Sequence, residues 1–398
     1  MQRTTYGYIA TFLMDFTVGG AILGIGFHLR ALGYGPLQIG FTLSAGMLCY
    51  FIACTILARY YPERDPFKAI VGGLILNCIS LPLLFVVNTI PGFLFFTALN
   101  ATGMAMYFAS MQAWMTVNFS RDAMNTTIGN YGLAWTSGLM SGPACAAVVG
   151  RFWTAQGWGP EYHAPYALCI GASTIAALLA FQRFRHDPPT TAHKERTKFW
   201  RSFDTDDYTR FMIIALLMNL VGNISAGIVR NLVAILEVTT ATGGLVKISQ
   251  EQAGYLSAAL SGAIFVSILL FRFYRKWAMS MRYVLGLQAL ILPAALIFLC
   301  THDYWLFVLA AVCVGFMNGF AFYSAASYAL QAGEKGQRNI TINEVVVGLG
   351  GFTGAMGGGL IAQHFGNAIA FASPLLVVIA VVPWQFRLYR KRPDGPWE

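Results

Sequence analysis

Two acidic residues interrupt long apolar stretches of the chain, and they are its strongest chemical signal. Of the 17 acidic residues, only Asp15 and Glu344 lie inside such a stretch, whereas the others lie in polar segments or near the ends of apolar ones. A charge at the centre of a bilayer costs about 2.5–3.5 kcal/mol, so residues of this kind generally face a cavity and carry function. Desolvation favours the neutral form of a carboxyl group, which lets a buried acid bind and release protons near neutral pH.

We therefore predict that Asp15 and Glu344 exchange protons. A structural hydrogen-bonding role is the alternative for Asp15, which lies about 14 Å into its apolar stretch at 1.5 Å per residue. Glu344 lies about one turn from the start of its stretch, where an acidic group can instead complement the helix dipole. Both alternatives stay open at this point.

Amide, hydroxyl and aromatic residues share several of the same stretches. In lipid their polar groups need partners inside the protein, so the faces that carry them point inward. The predicted ligand-contacting residues are Asn100, Tyr107, Gln112, Trp114, Asn130, Trp135, Asn219, Asn223, Asn318, Tyr323, Ser324 and Tyr328. Such a lining suits a small neutral or amphipathic ligand, and hydrogen bonding between helices is the alternative for these residues.

Cations are expected only near the ends of the apolar stretches. Arg30 and Arg230 lie close to the ends of theirs, where a long side chain can extend its charge to the membrane surface. With no cation expected deep in the membrane, a strongly anionic ligand is disfavoured.

The elements that position these residues are predicted to be twelve membrane-spanning helices. The chain is 57% hydrophobic and 11% charged, which excludes an ordinary soluble domain. Stretches long enough to cross a bilayer as helices, about 20 residues each, recur throughout. They cover residues 6–30, 37–60, 67–87, 91–119, 126–150, 164–184, 208–236, 250–273, 283–301, 304–331, 340–362 and 367–389. The sequence thus predicts an all-α integral membrane protein, and strands are not expected.

An internal repeat divides these helices into two sets of six. Phe108, Ser110 and Asn125 recur as the same residue types 214 positions later, and so do Gln38 and Gly40. Helices 1 and 7 align at an offset of 202 instead, because about twelve residues are inserted before Gln252. The repeat predicts two pseudo-symmetric six-helix bundles, formed by residues 1–184 and 208–398 and joined by a polar linker at 185–207. Neither Asp15 nor Glu344 has an acidic counterpart in the other repeat.

The Lys and Arg residues are divided unequally between the two sides of the membrane, and this pattern does not indicate a nucleic-acid-binding face. All but four of the 26 Lys and Arg residues fall on the side of the membrane that holds the start of helix 1. The exceptions are Arg30, Arg151, Arg230 and Lys247. This bias predicts that both termini are cytoplasmic and that nucleic acid is not a partner.

Small residues recur at helical spacing in the fifth predicted helix and in its repeat partner, the eleventh. The fifth contains Gly138, Gly142 and Pro143, and the eleventh contains Gly354 and Gly358 within a glycine-rich run. Small residues four apart let helix backbones touch in lipid, and a proline bends a spanning helix. We predict that these residues form a packing contact, which moves if the two bundles rock.

Taken together, the twelve helices, the repeat, the basic linker and Gly-x-x-x-Gly-Pro resemble the major facilitator superfamily over almost the whole chain. The element at Gly138 to Pro143 is similar to the antiporter-associated motif of that family. The segment Thr55–Arg64 departs from the family pattern, because Arg59 stands where an aspartate is usual. Glu63 or Asp65 is a candidate to replace that aspartate. The resemblance implies alternating access around a central cavity lined mainly by helices 1, 4, 7 and 10.

The sequence therefore predicts a secondary active transporter that moves a small organic solute by alternating access, in which Asp15 and Glu344 couple transport to protons. Export by antiport is favoured over uniport or uptake by symport. A membrane assembly factor or sensor that kept the fold is the alternative from another class. No metal-ligand spacing, phosphate loop or catalytic constellation is present in the sequence, so we expect no enzyme activity, metal or cofactor. The protein is predicted to be a monomer in the cell (inner) membrane.

Overall fold

The computed structural model describes residues 3–60, 66–118, 121–183, 205–240, 244–331 and 336–390. Within these ranges, twelve spans are long and apolar enough to cross a membrane, which confirms the predicted all-α membrane fold. The helices are α1 Arg3–Ala31, α2 Pro36–Tyr60, α3 Pro66–Val86, α4 Ile90–Asn118, α5 Arg121–Ala155, α6 His163–Arg183, α7 Thr205–Leu232, α8 Gln250–Phe273, α9a Met281–Gln288, α9b Ile291–Cys300, α10 Tyr304–Gln331, α11 Gly336–Phe365, α12a Asn367–Ala372 and α12b Pro374–Arg390.

Twelve alternating spans place the start of α1 and the end of α12b on the same side, called here the near side. The opposite side is called the far side. Large apolar side chains such as Phe95, Phe273 and Trp305 are exposed on the outer helix surfaces. These surfaces suit lipid, which can surround a helix because the helix satisfies its own backbone hydrogen bonds.

Two of the spans are broken at residues that the sequence analysis treated as continuous helix. In the ninth span, Pro293 lacks the N–H that would bond to the Ala289 carbonyl, and the chain turns between α9a and α9b. In the twelfth span, Pro374 begins α12b. The Ser373 hydroxyl donates to the Ala370 carbonyl at 2.7 Å, so this carbonyl is satisfied where the helix breaks.

A short hairpin on the far side is the main feature that the sequence analysis missed. Strands β1 (Glu237–Thr239) and β2 (Leu245–Lys247) pair antiparallel between α7 and α8. The expectation of no strands is wrong for this segment, where β-branched residues flank a Gly-Gly pair. Most of the predicted linker 185–207, together with Glu63 and Asp65, lies outside the described residues. The described part resumes with α7 at Thr205.

The helices pack as an N-terminal half, α1–α6, and a C-terminal half, α7–α12. Within the N-terminal half, α5 presses its glycines against the backbone of α1. A methyl group built at Gly138 would collide with the Phe12 carbonyl oxygen, and one at Gly142 with the Phe16 carbonyl oxygen. Pro143 packs on Gly19, where an added Cβ would lie 2.8 Å from the proline Cδ. The small residues therefore set how closely α1 and α5 approach.

Helix α11 uses glycines on two of its faces. On one face, an added Cβ at Gly354 would lie 2.6 Å from the Ile224 carbonyl oxygen, and one at Gly358 would lie 2.8 Å from Leu232, both in α7. On the other face, an added Cβ at Gly359 would lie 3.1 Å from the Gly40 Cα in α2. Helix α11 thus packs closely both within its own half and against the other half.

The two halves meet along two helix pairs, α2 with α11 and α5 with α8. In the first pair, a Cβ at Gly40 would lie 2.5 Å from the Ala355 carbonyl oxygen. In the second pair, a Cβ at Gly254 would lie 2.7 Å from the Pro143 carbonyl oxygen. Gly40 and Gly254 are separated by the repeat offset of 214, so the two contacts are pseudo-equivalent. At both contacts, a glycine lets the backbones of the two helices approach closely.

Polar contacts also join the halves on the two sides of the membrane. On the far side, Arg30 of α1 donates through Nη1 to the carbonyls of Ala234 (2.9 Å) and Ile248 (2.7 Å). Arg30 therefore does not simply extend to the membrane surface. On the near side, Arg272 of α8 donates to the Asn130 side chain of α5 at 2.6 Å.

The glycine contacts between α1 and α5 predict a stability difference between two Gly→Ala variants. Gly138→Ala should destabilise the protein by about 1–3 kcal/mol, because its methyl group meets a backbone carbonyl that cannot rotate away. Gly171→Ala is the matched control, since no heavy atom lies within 4 Å of the added Cβ in α6. Thermal unfolding in detergent should show a lower midpoint for Gly138→Ala only. Equal midpoints for the two variants would refute close backbone packing here.

The Arg30 contact predicts how easily the halves separate on the far side. Each hydrogen bond from a charged donor contributes about 1.5–3 kcal/mol, so Arg30→Gln should favour separation by about tenfold or more. The readout is the rate at which a membrane-impermeant maleimide labels a cysteine introduced by Val18→Cys, in an otherwise cysteine-free chain in oriented vesicles.

Arg151→Gln provides the control for this experiment. Arg151 also joins the halves on the far side, through an ion pair with Glu251 at 2.8 Å, but its side chain is 68% exposed. An exposed ion pair contributes only about 0–1 kcal/mol, so labelling should change little. An unchanged labelling rate in Arg30→Gln would show that Arg30 does not hold the halves together.

Candidate functional site

A cavity lies between the two halves at the centre of the protein. Together with its open part, it contains about 850 Å³ of empty space. Residues from α1, α4, α7 and α10 line it, as the family resemblance implied, and α2, α5 and α11 contribute as well. Its wall is mainly apolar, with a few polar and charged side chains.

Glu344 lies at the near-side part of the cavity and joins the two halves. The Tyr50 hydroxyl of α2 donates a short hydrogen bond to Glu344 Oε2, and Gln112 Nε2 of α4 donates to Oε1 at 2.5 Å. Gln112 also contacts the Tyr131 hydroxyl at 3.3 Å. Both donors to Glu344 belong to the N-terminal half, whereas the carboxyl group belongs to the C-terminal half.

The helix-dipole interpretation of Glu344 does not fit this geometry. Helix α11 begins at Gly336, so Glu344 lies about 12 Å into the helix, beyond the first turn in which the dipole acts. The residue is only 4% exposed, and both carboxyl oxygens accept hydrogen bonds from side chains. Its carboxyl group is oriented by the other half of the protein rather than by its own helix terminus.

Asp15 lies near the middle of α1 and faces the same cavity. It is 5% exposed, and its Oδ2 atom is buried without a hydrogen-bond partner among the described residues. Its charge interacts with those of Glu344 and Arg230. An unsatisfied carboxylate oxygen in a cavity wall is costly, and a proton or a ligand group would satisfy it.

Arg230 is the main correction to the predicted site. Instead of extending to the membrane surface, it lines the cavity from α7. Its Nη2 atom is buried and has no hydrogen-bond partner in the described part of the chain. The cavity therefore does contain a cation, and the argument against an anionic group on the ligand no longer holds.

Aromatic and amide side chains complete the cavity wall. Trp135 of α5 meets Phe322 of α10 edge to face, with ring centroids 5.0 Å apart, and Phe108 of α4 also lines the cavity. Asn223 and Asn318 are the amides of the predicted set that reach the wall. The wall thus offers flat apolar surfaces with a few polar groups for orientation.

Several predicted ligand-contacting residues instead bond to other helices of their own half. Asn100 donates to Asn77 at 2.8 Å and to Ser80 at 3.1 Å, which ties α4 to α3. The Tyr107 hydroxyl lies 3.0 Å from Thr11 Oγ1 of α1. Asn219 of α7 likewise donates to Asn343 of α11 at 2.9 Å. The other two bonds are not between helices: the Ser324 hydroxyl donates to the Ala321 carbonyl of its own helix at 3.1 Å, and the Tyr328 hydroxyl accepts from the N–H of Met279, in the turn before α9a, at 2.8 Å.

Three further residues of the predicted set also lie outside the cavity wall. Asn130 accepts the hydrogen bond from Arg272 that joins the halves on the near side. Tyr323 is buried edge to face against Trp277, and Trp114 packs against the apolar core. The structure therefore brings together Asp15, Glu344, Trp135, Asn223 and Asn318 and places the others around them.

Sequence reasoning missed four polar residues of the wall, namely Tyr50, Tyr131, Arg230 and Asn231. Arg230 carried a usable signal, because it lies about 9 Å inside the predicted end of its apolar stretch. The tyrosines carried none, because a tyrosine in an apolar stretch has the same pattern whether it faces lipid, core or cavity.

The arrangement can bind a small molecule and exchange protons in a site shared by two packed halves. Two carboxyl groups and one guanidinium face one cavity, and Glu344 accepts hydrogen bonds across the interface. Among the described residues, no cluster of His, Cys, Asp and Glu could hold a metal ion.

Comparisons with known proteins agree with this architecture. A bacterial homologue of the human lysosomal transporter Spinster, inward-facing and unoccupied, has a TM-score of 0.68 at 13% identity, over 100% of this chain and 97% of the other. The occupied form of the same protein has a TM-score of 0.66 at 14% identity, with the same coverage. The nucleoside transporter NupG has a TM-score of 0.65 at 15% identity, over 98% of this chain and 100% of the other. At these identities the likeness shows the fold alone.

A search of curated protein sequences finds no match. A family model, by contrast, covers most of the chain. The model described as Major Facilitator Superfamily matches residues 7–339, which include six helices of the N-terminal half and four of the C-terminal half. The chain therefore belongs to the major facilitator superfamily and is a multi-pass membrane protein that acts as a secondary transporter rather than an enzyme.

Proposed function

We propose that this transporter couples the movement of a small organic solute to protons, with Asp15 and Glu344 as the proton-binding residues. The observation that supports this most directly is the position of Glu344. Its carboxyl group belongs to the C-terminal half, and its hydrogen-bond donors, Tyr50 and Gln112, belong to the N-terminal half. A proton on this group changes an interaction between the two parts that must move in alternating access.

The size of this effect is sufficient to shift a conformational equilibrium. Hydrogen bonds to a charged group contribute about 1.5–3 kcal/mol each, against about 0.5–1.5 kcal/mol for neutral pairs. Protonation of Glu344 weakens two such bonds, so it removes about 2–3 kcal/mol from the near-side contact of α11 with α2 and α4. This corresponds to roughly a 30- to 150-fold change in the population of the state that is open on the near side.

Asp15 is proposed to take up the proton from the cavity. It has an unsatisfied carboxylate oxygen, and its charge interacts with that of Glu344. Two carboxylates that face one cavity disfavour each other's ionisation, so protonation of one affects the other. The other titratable or charged groups that act on this pair are Arg230, Tyr50, Tyr131, Tyr107 and Cys54.

For the direction of transport, we propose export by antiport. The Gly138–Pro143 segment resembles the antiporter-associated motif, and it packs α5 against α1, the helix that carries Asp15. Uptake by symport and uniport are the alternatives.

The proposed setting is the cell (inner) membrane, with both termini cytoplasmic and the protein acting as a monomer. The near side holds most of the Lys and Arg residues, which supports a cytoplasmic location for that side. We further propose that residues 1–184 and 208–398 move as the two bundles, with 185–207 as the linker between them.

Flux measurements in liposomes test proton coupling. The solute would first be found by a thermal-shift screen of the purified protein, since a bound ligand stabilises the folded state. In wild type, an imposed pH gradient should drive solute flux, and movement against the proton flow would support antiport. Asp15→Asn and Glu344→Gln should each lower gradient-driven flux at least about tenfold, because a proton site is lost.

Glu237→Gln is the matched control for these variants. Glu237 lies in strand β1 on the far side and outside the cavity wall, so its removal should leave gradient-driven flux unchanged. Wild-type flux that ignores the gradient, or full gradient-driven flux in both cavity variants, would overturn the proposed coupling.

A further inference from the structure

We propose that the cavity binds a zwitterion with an apolar body, holding the carboxylate of the ligand at Arg230 and its ammonium at Asp15. This inference rests on the proposed function and specifies the substrate class of the same site. The candidate ligands are amino acids and short peptides with apolar side chains, together with other molecules that carry the same two charges.

The first observation is that two opposite charges face one cavity without pairing. Both Asp15 and Arg230 line the cavity, and their charges interact. Even so, Asp15 Oδ2 and Arg230 Nη2 are each buried without a hydrogen-bond partner among the described residues. A buried ion pair is favourable only when its geometry is good and its remaining hydrogen-bonding groups are satisfied. The missing partners are an anion for Arg230 and a cation for Asp15.

The second observation is where these two residues lie. Asp15 is in α1 of the N-terminal half, near the middle of the membrane, and Arg230 is in α7 of the C-terminal half, toward the far side. A molecule that satisfies both charges therefore touches both halves at once. A ligand with a single charge would leave one of the two buried groups unsatisfied, which costs about 1–3 kcal/mol or more.

The wall between the charges suits the apolar body of such a ligand. Trp135 and Phe322 present packed aromatic rings, and Phe108 lines the cavity from α4. Trp135 Nε1 and Asn318 Oδ1 are buried without a hydrogen-bond partner within the described ranges, so they can orient polar groups of the ligand by donating and accepting a hydrogen bond, respectively. Binding of the ammonium at Asp15 displaces a proton from that carboxylate, which is the exchange that antiport requires.

A matched set of ligands tests the charge requirement directly. L-Tryptophan and leucyl-tryptophan would each be compared with the N-acetyl form (anion), the amide (cation) and the N-acetyl amide (neutral). Kd would be measured by isothermal titration calorimetry on the detergent-solubilised protein at pH 7 without a pH gradient. For L-tryptophan, leucyl-tryptophan or both, the unmodified zwitterion should bind at least about tenfold more tightly than each of its three derivatives. The reason is that each derivative loses at least one charge-assisted contact.

Two cavity variants separate the contacts. Arg230→Gln should bind the zwitterion and the amide equally well, but should still bind the zwitterion more tightly than the N-acetyl form. Asp15→Asn should bind the zwitterion and the N-acetyl form equally well, but should still bind the zwitterion more tightly than the amide. Arg151→Gln, a far-side surface variant outside the cavity wall, should leave all preferences unchanged. Arg230→Lys keeps the cation and should retain most of the preference over the amide, which distinguishes charge recognition from loss of folding.

Tighter binding of an anionic, cationic or neutral form, or binding of no zwitterion, would overturn this inference. Because binding is measured without a gradient, such a result leaves proton coupling untouched. Conversely, flux of a bound zwitterion that ignores a pH gradient would overturn the coupling proposal and leave the charge assignment standing.

Discussion

The proposed mechanism rests on the pair of hydrogen bonds that Glu344 accepts from Tyr50 and Gln112. These bonds join the two halves on the near side of the cavity, next to the close packing of α11 on α2. Glycines let the two helix backbones approach closely there, without large side chains between them. We propose that directional polar bonds decide which arrangement of the halves is favoured, and two of these bonds end on the Glu344 carboxyl group.

The internal repeat shows why this contact is special. Glu344 lies opposite Asn130 at the offset of 214, and Asn130 also accepts a hydrogen bond from the other half, from Arg272. The two equivalent positions therefore do the same structural task with different chemistry. The acceptor in the Asn130 contact is a neutral amide oxygen rather than a carboxyl group. In the Glu344 contact the acceptor is a carboxyl group, which supports the proposal that one of the two similar contacts responds to protons.

Most of the fold could be predicted from the sequence, because long apolar stretches in lipid have few alternatives to helices. The helix breaks at Pro293 and Pro374 and the far-side hairpin were missed, since they depend on local backbone chemistry. For the site, location inside an apolar stretch singled out Asp15 and Glu344, and both line the cavity. The direction in which each side chain faces could not be predicted. Asn100, Tyr107 and Asn219 are polar residues in apolar stretches, as Asn318 is, yet they bond to neighbouring helices. Arg230 was misjudged because its depth, about 9 Å inside the predicted end of its apolar stretch, was treated as shallow enough for the side chain to reach the membrane surface.

The most direct test of the central claim measures the distance between α2 and α11 on the near side as a function of pH. Spin labels introduced through Ile56→Cys and Arg338→Cys, both exposed positions, would be measured by double electron–electron resonance in an otherwise cysteine-free chain. We predict a short distance at high pH, a growing long-distance population at low pH, and a dominant long distance at every pH in Glu344→Gln. A distance distribution that changes neither with pH nor with Glu344→Gln would contradict it.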